Sequence, residues 1–594
     1  MKTARRMLAV LGAAAAVLLA VTAAAAADDS DKKVVFSVGI TSTNFDTLNP
    51  IMGYSAVDFD VWNTQYGTLT NKAAKDFAPI PGLAQSWQVS NGGKTYTYTL
   101  RDGLTWSDGT PLTSKDIVFT INRSREEEWQ NYSAFTQNLT ARAIDDKTVA
   151  VTSSIPDPKL PGLGDVYILP EHIWGKLDAK EIVKYPGLDG VGSGPFTTLE
   201  FKRGQFVRMK ANPSYWAGKR PVDEIVFRIF NNADAMVAAL KKGEIDAAHN
   251  VPSEAFDGLG TTAGMVAVQG NQGGFDEIAI NGGAGLQKPH PALLDRRVRV
   301  AMAHAIDRKV LLDRVWLGIG SVAQAVSPSA DPAWTPTIPP DEQFDFNLVK
   351  ANKILDDAGY KDTNGDGIRE LPGGGEPLDF SYYVRSESEV APPVAEFVGG
   401  WMKKIGIKIT QKPTTADQLT TIIGKGTYDM FHWSWTPYVD PDPQISYFRC
   451  NQIATAADPG SYNNDANWCD PVYDALYKQQ NVELDRSKRL AIVHRMLTRL
   501  HDAASYNVIA LTPDLQAYRT DRFTGWLRQP ALVGPVIFSN TSPTYASLAP
   551  IASSGDGGGG IGTAGIVGIV VAGLAAIGIV GWLLSRRRSA DERE

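Results

Sequence analysis

The sequence contains little cysteine and little histidine for its length. Two cysteines and seven histidines occur in 594 residues. His494 and His501 lie on one predicted helix, but no carboxylate completes a zinc-ligand set around them. The histidines are therefore interpreted as surface or core residues, and no zinc centre is predicted.

Motifs for nucleotide binding and for serine hydrolysis are also absent. The chain has no Walker loop and no G-x-S-x-G elbow. GIGTAG at 560–565 fits G-x-G-x-x-G but opens an apolar run. GIGSVA at 318–323 follows a predicted helix, whereas a dinucleotide site needs a preceding strand. No carboxylate pair is marked by its spacing as suited to glycoside hydrolysis. The sequence therefore gives no positive sign of an enzyme, and no catalytic cofactor is expected.

Positive charge is not in excess. Lysine and arginine total 58 against 65 aspartate and glutamate residues, which gives a formal net charge of −7. Nucleic-acid-binding proteins present a basic surface, so nucleic acid is not an expected partner. Hydrophobic residues make up 43% and charged residues 21%, a mixture typical of a folded globular body.

The N-terminal end carries an export pattern. Lys2, Arg5 and Arg6 precede an apolar stretch at 7–21, and small residues at 23–27 offer cleavage sites. This pattern predicts a secretory signal peptide over residues 1–27, with an uncleaved anchor helix as the alternative. Because exported proteins meet an oxidising compartment, Cys450 and Cys469 are predicted to form a disulfide; two buried thiols are the alternative.

The C-terminal end carries a membrane pattern. Residues 561–584 contain no charge, which is long enough for a transmembrane helix, and Arg586, Arg587 and Arg588 follow. Basic residues stay on the cytoplasmic side, so 585–594 is predicted to be a cytoplasmic tail and 553–560 a Gly-rich linker. The expected location is the cell membrane, with a single pass and the bulk of the chain outside. A buried core helix is the alternative for 561–584.

The exported body mixes strands and helices. Trp87–Gly109 alternates apolar and polar residues around turn signals, which predicts a β-meander. A helix is predicted to open at Ser114 as its cap, and 295–316 has one apolar helical face. The expected class is α/β or α+β with more than one lobe.

The most unusual segment is YDMFHWSWTPYVDPDPQISYF at 428–448. It places Trp433, Trp435, Tyr438 and Tyr447 around a proline-fixed acidic loop. Aromatic side chains beside a rigid loop suit a ligand pocket with flat apolar walls. Plain core packing is the alternative for the two tryptophans.

The chain resembles the family 5 solute-binding proteins of ABC importers, which include dipeptide, oligopeptide and nickel binders. Several segments carry the resemblance in order: LNP at 48–50, PGLAQSWQVSNGGKTYTYTLRDGLTWSDGTPLTSKDIVFT at 81–120, LPEHIW at 169–174, GSGPFTTLEFKRGQFVRMKANPSYWAG at 192–218, GEIDAA at 243–248, DRRVRVAMAHAIDRKVLL at 295–312, DAGYKDTNGDGIRE at 357–370, and the 428–448 segment. The similarity spans about 34–548.

The resemblance implies an α/β, periplasmic-binding-protein-like fold of the class II, cluster C type, with two main lobes, an inserted third lobe and a ligand cleft closed by a hinge. Its approximate bounds would be lobe I at 34–75, 195–285 and 505–548, lobe II at 76–194, and lobe III at 286–504. The implied partners are ABC permease subunits in the membrane and a small ligand, most readily a peptide.

The resemblance also suggests the ligand contacts. Tyr54 follows the LNP segment, and Trp433, Trp435, Tyr438 and Asp440 lie in the aromatic segment. Peptide-binding relatives often carry an aspartate three residues past the tryptophan, to pair the α-amino group of the peptide. Here Tyr438 holds that place, and Asp440 would substitute only if the backbone shifts.

The segment DTNGDGIRE at 362–370 resembles part of an EF-type calcium loop. Asp362, Asn364, Asp366 and Glu370 fall at positions 1, 3, 5 and 9 of such a loop. Position 12 is Gly373, so the bidentate glutamate is missing. A low-affinity structural calcium site is one interpretation; turns formed by Asp and Asn side chains are the other.

These observations together predict a membrane-tethered substrate-binding protein of an ABC importer that performs no chemistry. A cell-surface glycan hydrolase is one alternative, since a cleft with tryptophan and aspartate suits sugars. An anchored sensor or scaffold is another, although a tail of about ten residues leaves little room for signalling. A peptide, a sugar and a nickel chelate are all open as the ligand.

Overall fold

The computed structural model describes residues 33–41, 47–53, 56–160, 163, 166–271, 274–386, 388–436, 438–458, 464–537 and 543–551. Through Pro550 these residues belong to one compact unit. The predicted signal peptide, linker, transmembrane helix and tail, and Tyr54, lie outside the described residues. Among the helices that are described, none has both the length and the apolarity to cross a membrane.

A seven-stranded mixed sheet, in the order β12-β19-β11-β1-β10-β9-β8, forms lobe I. Its strands are β1 (Val35–Thr41), β8 (Phe196–Lys202), β9 (Phe206–Ala211), β10 (Glu224–Phe230), β11 (Ala247–Ala248), β12 (Met265–Gly270) and β19 (Asp514–Arg519). The helices packed on it are α1 (Ala56–Gln65), α6 (Ala233–Lys242) and α7 (Ser253–Gly260). The central strand β1 pairs in parallel with β10 and β11 and buries Phe36 and Val38 completely.

A four-stranded antiparallel sheet, in the order β4-β5-β7-β6, forms lobe II. Its strands are β4 (Ala84–Ser90), β5 (Thr95–Leu100), β6 (Leu139–Ala143) and β7 (Thr148–Ser153), and its helices are α2 (Ser114–Glu126), α3 (Ser133–Thr136), α4 (Glu171–Trp174) and α5 (Ala179–Ile182). The cap of α2 is Thr113 rather than the predicted Ser114, because Asp116 completes a capping box with Thr113.

A six-stranded mixed sheet, in the order β14-β18-β13-β17-β15-β16, forms lobe III. Its strands are β13 (Phe275–Ile280), β14 (Ser321–Val322), β15 (Asp379–Arg385), β16 (Lys408–Thr414), β17 (Met430–Trp435) and β18 (Tyr506–Leu511). Each face of this sheet has its own core. One core involves α8 (Arg296–His304), α9 (Arg308–Val315), α10 (Leu348–Asp357) and α11 (Ala391–Lys403), and the other involves α12 (Ala416–Lys425), α13 (Asp442–Ser446), α14 (Pro471–Gln480) and α15 (Arg486–Ala503).

Small elements complete the described chain. The ribbon of β2 (Thr70–Lys72) and β3 (Pro79–Pro81) leads into lobe II. The pair of β20 (Phe523–Thr524) and β21 (Ala549–Pro550), with α16 (Pro543–Ser547), closes the C-terminal end of the unit.

The structure corrects two boundaries inferred from the sequence. Strands β13 and β18 belong to the lobe III sheet, so the chain crosses between lobes just before Phe275 and just after Leu511, not at 285 and 505. The two crossings run side by side, since the amide of Thr512 donates to the carbonyl of Gly274 over 2.8 Å. The predicted helix at 295–316 is two helices, because Asp307 caps a second one.

Candidate functional site

Two tryptophans of β17 form a wall at the end of the lobe III sheet. Trp433 and Trp435 are two residues apart on a strand, so they share one face, and both are half-buried against the second core of lobe III. Trp435 pairs in register with Phe275, the first residue of β13 after the crossing from lobe I. Trp433 and Trp435 are here named the tryptophan wall. They therefore lie where lobe III meets the connections to lobe I.

The orientation of Trp435 is fixed by a buried carboxylate. Its indole Nε1–H donates to Asp465 Oδ2 over 3.1 Å, and its ring lies 5.3 Å from that of Tyr447. Burial raises the pKa of Asp465 to about 7, although the hydrogen bond from Trp435 acts in the opposite direction. Asp465 therefore changes charge near neutral pH directly behind the wall.

A second buried acid lies behind Trp433. Glu277 on β13 is paired in register with Trp433, has no exposed surface, and neither of its carboxylate oxygens accepts a hydrogen bond. Burial raises its pKa well above the ordinary value, and the negative charges of Asp465 and Asp276 add to that effect. On the other side, the guanidinium of Arg385 lies 4.3 Å from the centre of the Trp433 ring.

Sequence reasoning missed Glu277, Asp465 and Arg385. A glutamate inside the apolar strand FDEIAI is a signal that could have pointed to Glu277, because a buried acid is uncommon without a function. No such signal marks Asp465 or Arg385, which reach the tryptophans only through the fold.

Asp440 already has a cationic partner within the protein. Arg489 Nη1 and Nη2 donate to its two carboxylate oxygens over 2.6 and 2.8 Å. Burial favours the protonated acid, but the guanidinium outweighs it, so the pKa of Asp440 lies below its ordinary value. In this arrangement the carboxylate of Asp440 is committed to Arg489 rather than left for the amino group of a ligand.

Tyr438 and the turn that follows it contact lobe II. The Tyr438 ring packs edge-to-face on Phe135, with 6.1 Å between centroids. Lys159 Nζ of lobe II lies 3.0 Å from Asp442 Oδ2 of lobe III, and both side chains are largely buried. Lobe II is therefore in contact with lobe III at the turn that carries Tyr438 and Asp440.

A cavity of about 580 Å³ lies beside this turn. Its apolar lining comes from both halves of the chain: Phe77, Phe135 and Pro158 from the first half, and Trp334, Val439 and Leu484 from the second. The volume is within the range of ligand sites in proteins, roughly 300–1,000 Å³. Asp440 is one of its lining residues. Of the five predicted ligand contacts, two thus form the tryptophan wall and two lie on the neighbouring turn, while Tyr54 is outside the described residues.

The acidic loop at 362–370 is compact. Ligand atoms of Asp362, Asp366 and Glu370 lie within 4.8 Å of one another. The carboxylate of Asp362 accepts the amides of Gly365 and Gly367, and Asn364 Oδ1 accepts the amide of Asp366. Such turns account for the local shape without an ion.

Cys450 and Cys469 form a disulfide, with Cα atoms 4.6 Å apart. The disulfide closes a loop that contains Asp465, since that residue lies between the two cysteines in the chain. The covalent link therefore restrains the segment that brings Asp465 to Trp435.

Comparison with solved structures defines the class of fold. The oligopeptide-binding protein AppA from Bacillus subtilis, in complex with a nonapeptide, superposes with a TM-score of 0.68 and 22% identity, covering 87% of this chain and 99% of the other. NikZ from Campylobacter jejuni, in complex with Ni(L-His), gives a TM-score of 0.71 and 19% identity, covering 87% of this chain and 100% of the other. The predicted periplasmic-binding-protein-like α/β fold is confirmed.

Sequence comparison defines the family. Residues 78–455, more than half of the chain, match the middle region of the bacterial extracellular solute-binding proteins, family 5. The sequence is 28% identical over 452 residues to the oligopeptide-binding protein AppA of Bacillus subtilis, covering 73% of this chain and 78% of that protein. The chain belongs to family 5 of the bacterial extracellular solute-binding proteins, as its motifs predicted.

Proposed function

We propose that the protein is the substrate-binding component of an ABC importer, which captures a peptide outside the cell and delivers it to permease subunits in the membrane. The observation that carries the proposal is the cavity beside the turn of Tyr438 and Asp440 in a family 5 solute-binding chain. An apolar, aromatic-lined site with a few fixed polar groups suits the capture of a small solute.

Peptide is favoured over other solutes by the relatives. AppA is named an oligopeptide-binding protein and has been solved with a nonapeptide. The same fold also holds Ni(L-His) in NikZ, so the fold alone does not select peptide. The commitment of Asp440 to Arg489 means that the amino group of a bound peptide is paired elsewhere than at this carboxylate.

The membrane tether is part of the proposal and rests on the sequence. The uncharged run at 561–584 and the arginines that follow it favour a single-pass anchor with the bulk of the chain outside the cell. A protease-protection assay on membrane vesicles tests it. Cleavage of the body from the outside, with a C-terminal tag protected, is expected; a body released into solution without detergent would rule the tether out.

The test of binding is a thermal-shift screen of the full chain in detergent with di- and oligopeptides, sugars and nickel chelates. A ligand at about 100 times its Kd adds about 2.7 kcal/mol to the free energy of unfolding. A shift confined to peptides is expected. Shifts with sugars or nickel chelates alone would identify one of these as the ligand in place of a peptide. No shift with any of the compounds would contradict the proposal.

Trp435→Ala tests the tryptophan wall. Loss of a half-buried aromatic contact is expected to raise the Kd of the best peptide by at least about tenfold in calorimetric titration. The matched control is Trp216→Ala, which removes a half-buried tryptophan packed against the lobe II core. Equal affinities of the Trp435→Ala and Trp216→Ala proteins would remove Trp435 from the ligand site.

The two alternative functions are less favoured. A glycan hydrolase and an anchored sensor or scaffold both lack support from the family, which groups extracellular solute-binding proteins. Glycan cleavage by the purified chain, without any ligand-induced thermal shift, would support the hydrolase instead.

Calcium binding by the 362–370 loop remains a separate proposal. The clustered oxygens of Asp362, Asp366 and Glu370 support a weak site, with a Kd of roughly 0.1–1 mM as in extracellular modules. Calorimetric titration with calcium chloride should give heat that Asp366→Asn removes and Asp417→Asn, at an exposed acid of α12, does not. No heat in the unmodified chain would show that the loop is a set of turns only.

A further inference from the structure

The cavity beside Tyr438 is built by two lobes. Phe77 and Phe135 line it from the first half of the chain, and Trp334 and Val439 line it from lobe III. Val439 directly follows Tyr438, so the cavity begins one residue beyond a predicted ligand contact. A group that entered it would therefore contact both sides of the interface at once.

Ion pairs hold five of the charged side chains that line the cavity, and Lys72 and Asp76 also line it. Arg486 Nη2 lies 2.5 Å from Asp331 Oδ2, Arg489 is bidentate to Asp440, and Lys159 is bound to Asp442. The guanidinium groups of Arg486 and Arg489 also lie 5.3 and 5.2 Å from the centre of the Trp334 ring. These three cations already have partners, and what the cavity offers an entering group is mainly apolar and aromatic surface.

We propose that this cavity is a specificity subsite that receives one bulky apolar side chain of the captured peptide, with aromatic side chains preferred. The inference rests on the proposed function and names the class of peptide. About 580 Å³ is more space than a small side chain fills, and the walls present rings to which an entering ring can pack edge-to-face. An apolar pocket discriminates between side chains by the apolar surface that it buries. An alanine side chain in this cavity would bury much less surface than an aromatic one and would therefore gain less binding free energy.

Lobe II has a definite part in this subsite. Phe135 belongs to α3 of lobe II, and Lys159 secures lobe II to lobe III through Asp442. The side chain of the ligand would thus be enclosed by a lobe that does not carry the tryptophan wall. Selectivity for the bulky group and contact with Trp435 are separable in this arrangement.

The experiment uses the full chain in detergent and six pentapeptides. Five of them carry a single phenylalanine at successive positions in an alanine background, and the sixth is pentaalanine. Calorimetric titration is expected to show at least one phenylalanine peptide with a Kd at least about tenfold below that of pentaalanine. Ala333→Trp, at an exposed lining residue, fills the cavity and is expected to reduce this advantage below about threefold.

The controls separate the outcomes. Ala217→Trp, at an exposed alanine outside the cavity lining, should keep the full preference. Phe135→Ser removes one wall and provides a second variant if Ala333→Trp does not fold. No preference for phenylalanine in the unmodified chain, or a preference that survives both cavity variants, would overturn the subsite while leaving the peptide receptor intact. Equal weakening of all peptides by Ala333→Trp would also overturn it. Failure of all six peptides to bind the unmodified chain would instead contradict the proposed function.

Discussion

A buried acid in lobe I is balanced by a histidine, whereas two buried acids behind the tryptophan wall of lobe III have no such partner. In lobe I, His249 Nε2 lies 2.7 Å from Asp514 Oδ2, and both side chains are buried. Behind the wall, Glu277 and Asp465 are two buried acids, and neither has a cation hydrogen-bonded to it. Burial raises the pKa of both, and the charge of Asp465 raises that of Glu277 further. The first arrangement stabilises the fold, whereas the second costs stability when the acids are charged.

The comparison distinguishes buried polar groups that stabilise the fold from buried polar groups that belong to a functional site. Groups that serve only the fold gain from being paired, and groups held at shifted pKa values without a cationic partner concentrate at sites that bind or react. The acids behind Trp433 and Trp435 belong to the second kind. Experiments that remove one group from each region should therefore change the stability of the protein in opposite directions.

His249→Ala is expected to have the largest effect. It leaves the buried Asp514 without its cation, which should lower the free energy of unfolding by about 3–5 kcal/mol at pH 7. Urea denaturation measures the loss. The double variant His249→Leu/Asp514→Leu is the control, since replacing both charges should recover most of the stability. A loss under about 1 kcal/mol for the single variant would show that the pair is not a structural ion pair.

The pH dependence of the same pair has a definite sign. The folded pKa of His249 is raised to about 9: burial opposes protonation, but the charge of Asp514 outweighs it. Its ordinary value is about 6.5, so the stabilisation is complete below that pH and is lost as the pH rises through about 9. The difference in unfolding free energy between the unmodified chain and His249→Ala should shrink across this window.

Asp465→Asn is expected to act in the opposite direction. Since burial raises the pKa of Asp465 to about 7, the folded chain binds more protons than the unfolded chain between about pH 4 and pH 7, and stability falls as the pH rises through that window. Asparagine removes the penalty and keeps an acceptor for Trp435. The variant should be more stable by roughly 2–4 kcal/mol at pH 8 and unchanged at pH 4.

Asp440→Asn is the matched control, because its carboxylate is paired with Arg489 and its pKa is lowered. This variant should lose stability at pH 8 rather than gain it. Urea denaturation at the two pH values measures both proteins. Destabilisation of Asp465→Asn at pH 8 would mean that the charged acid is compensated after all, and the contrast between the regions would fail.

The family, the mixed α/β class and the aromatic segment could be predicted from sequence, because each is carried by residues close together in the chain. Contacts between side chains that are distant in the chain could not be predicted. Arg489 on α15 reaches Asp440 on a turn 49 residues away, and nothing in the spacing reveals it. Glu277 and Asp465 converge on the tryptophan wall from β13 and from the disulfide-closed loop. The lobe boundaries were misplaced for the same reason, since only strand pairing assigns β13 and β18 to a sheet.

The smallest expected effect comes from Arg385→Gln. Removing the guanidinium from the Trp433 ring should cost about 0.5–1 kcal/mol at neutral pH, as for other partly exposed cation–π contacts. Arg101→Gln is the matched variant, because Arg101 lies 3.9 Å from the Trp216 ring, away from the wall. Only Arg385 also favours the charged form of Glu277, so only its loss should steepen the fall of stability with rising pH. If the unfolding free energies of the two variants change in parallel with pH, Glu277 stays protonated throughout. Asp465 would then be the one acid behind the wall that becomes charged.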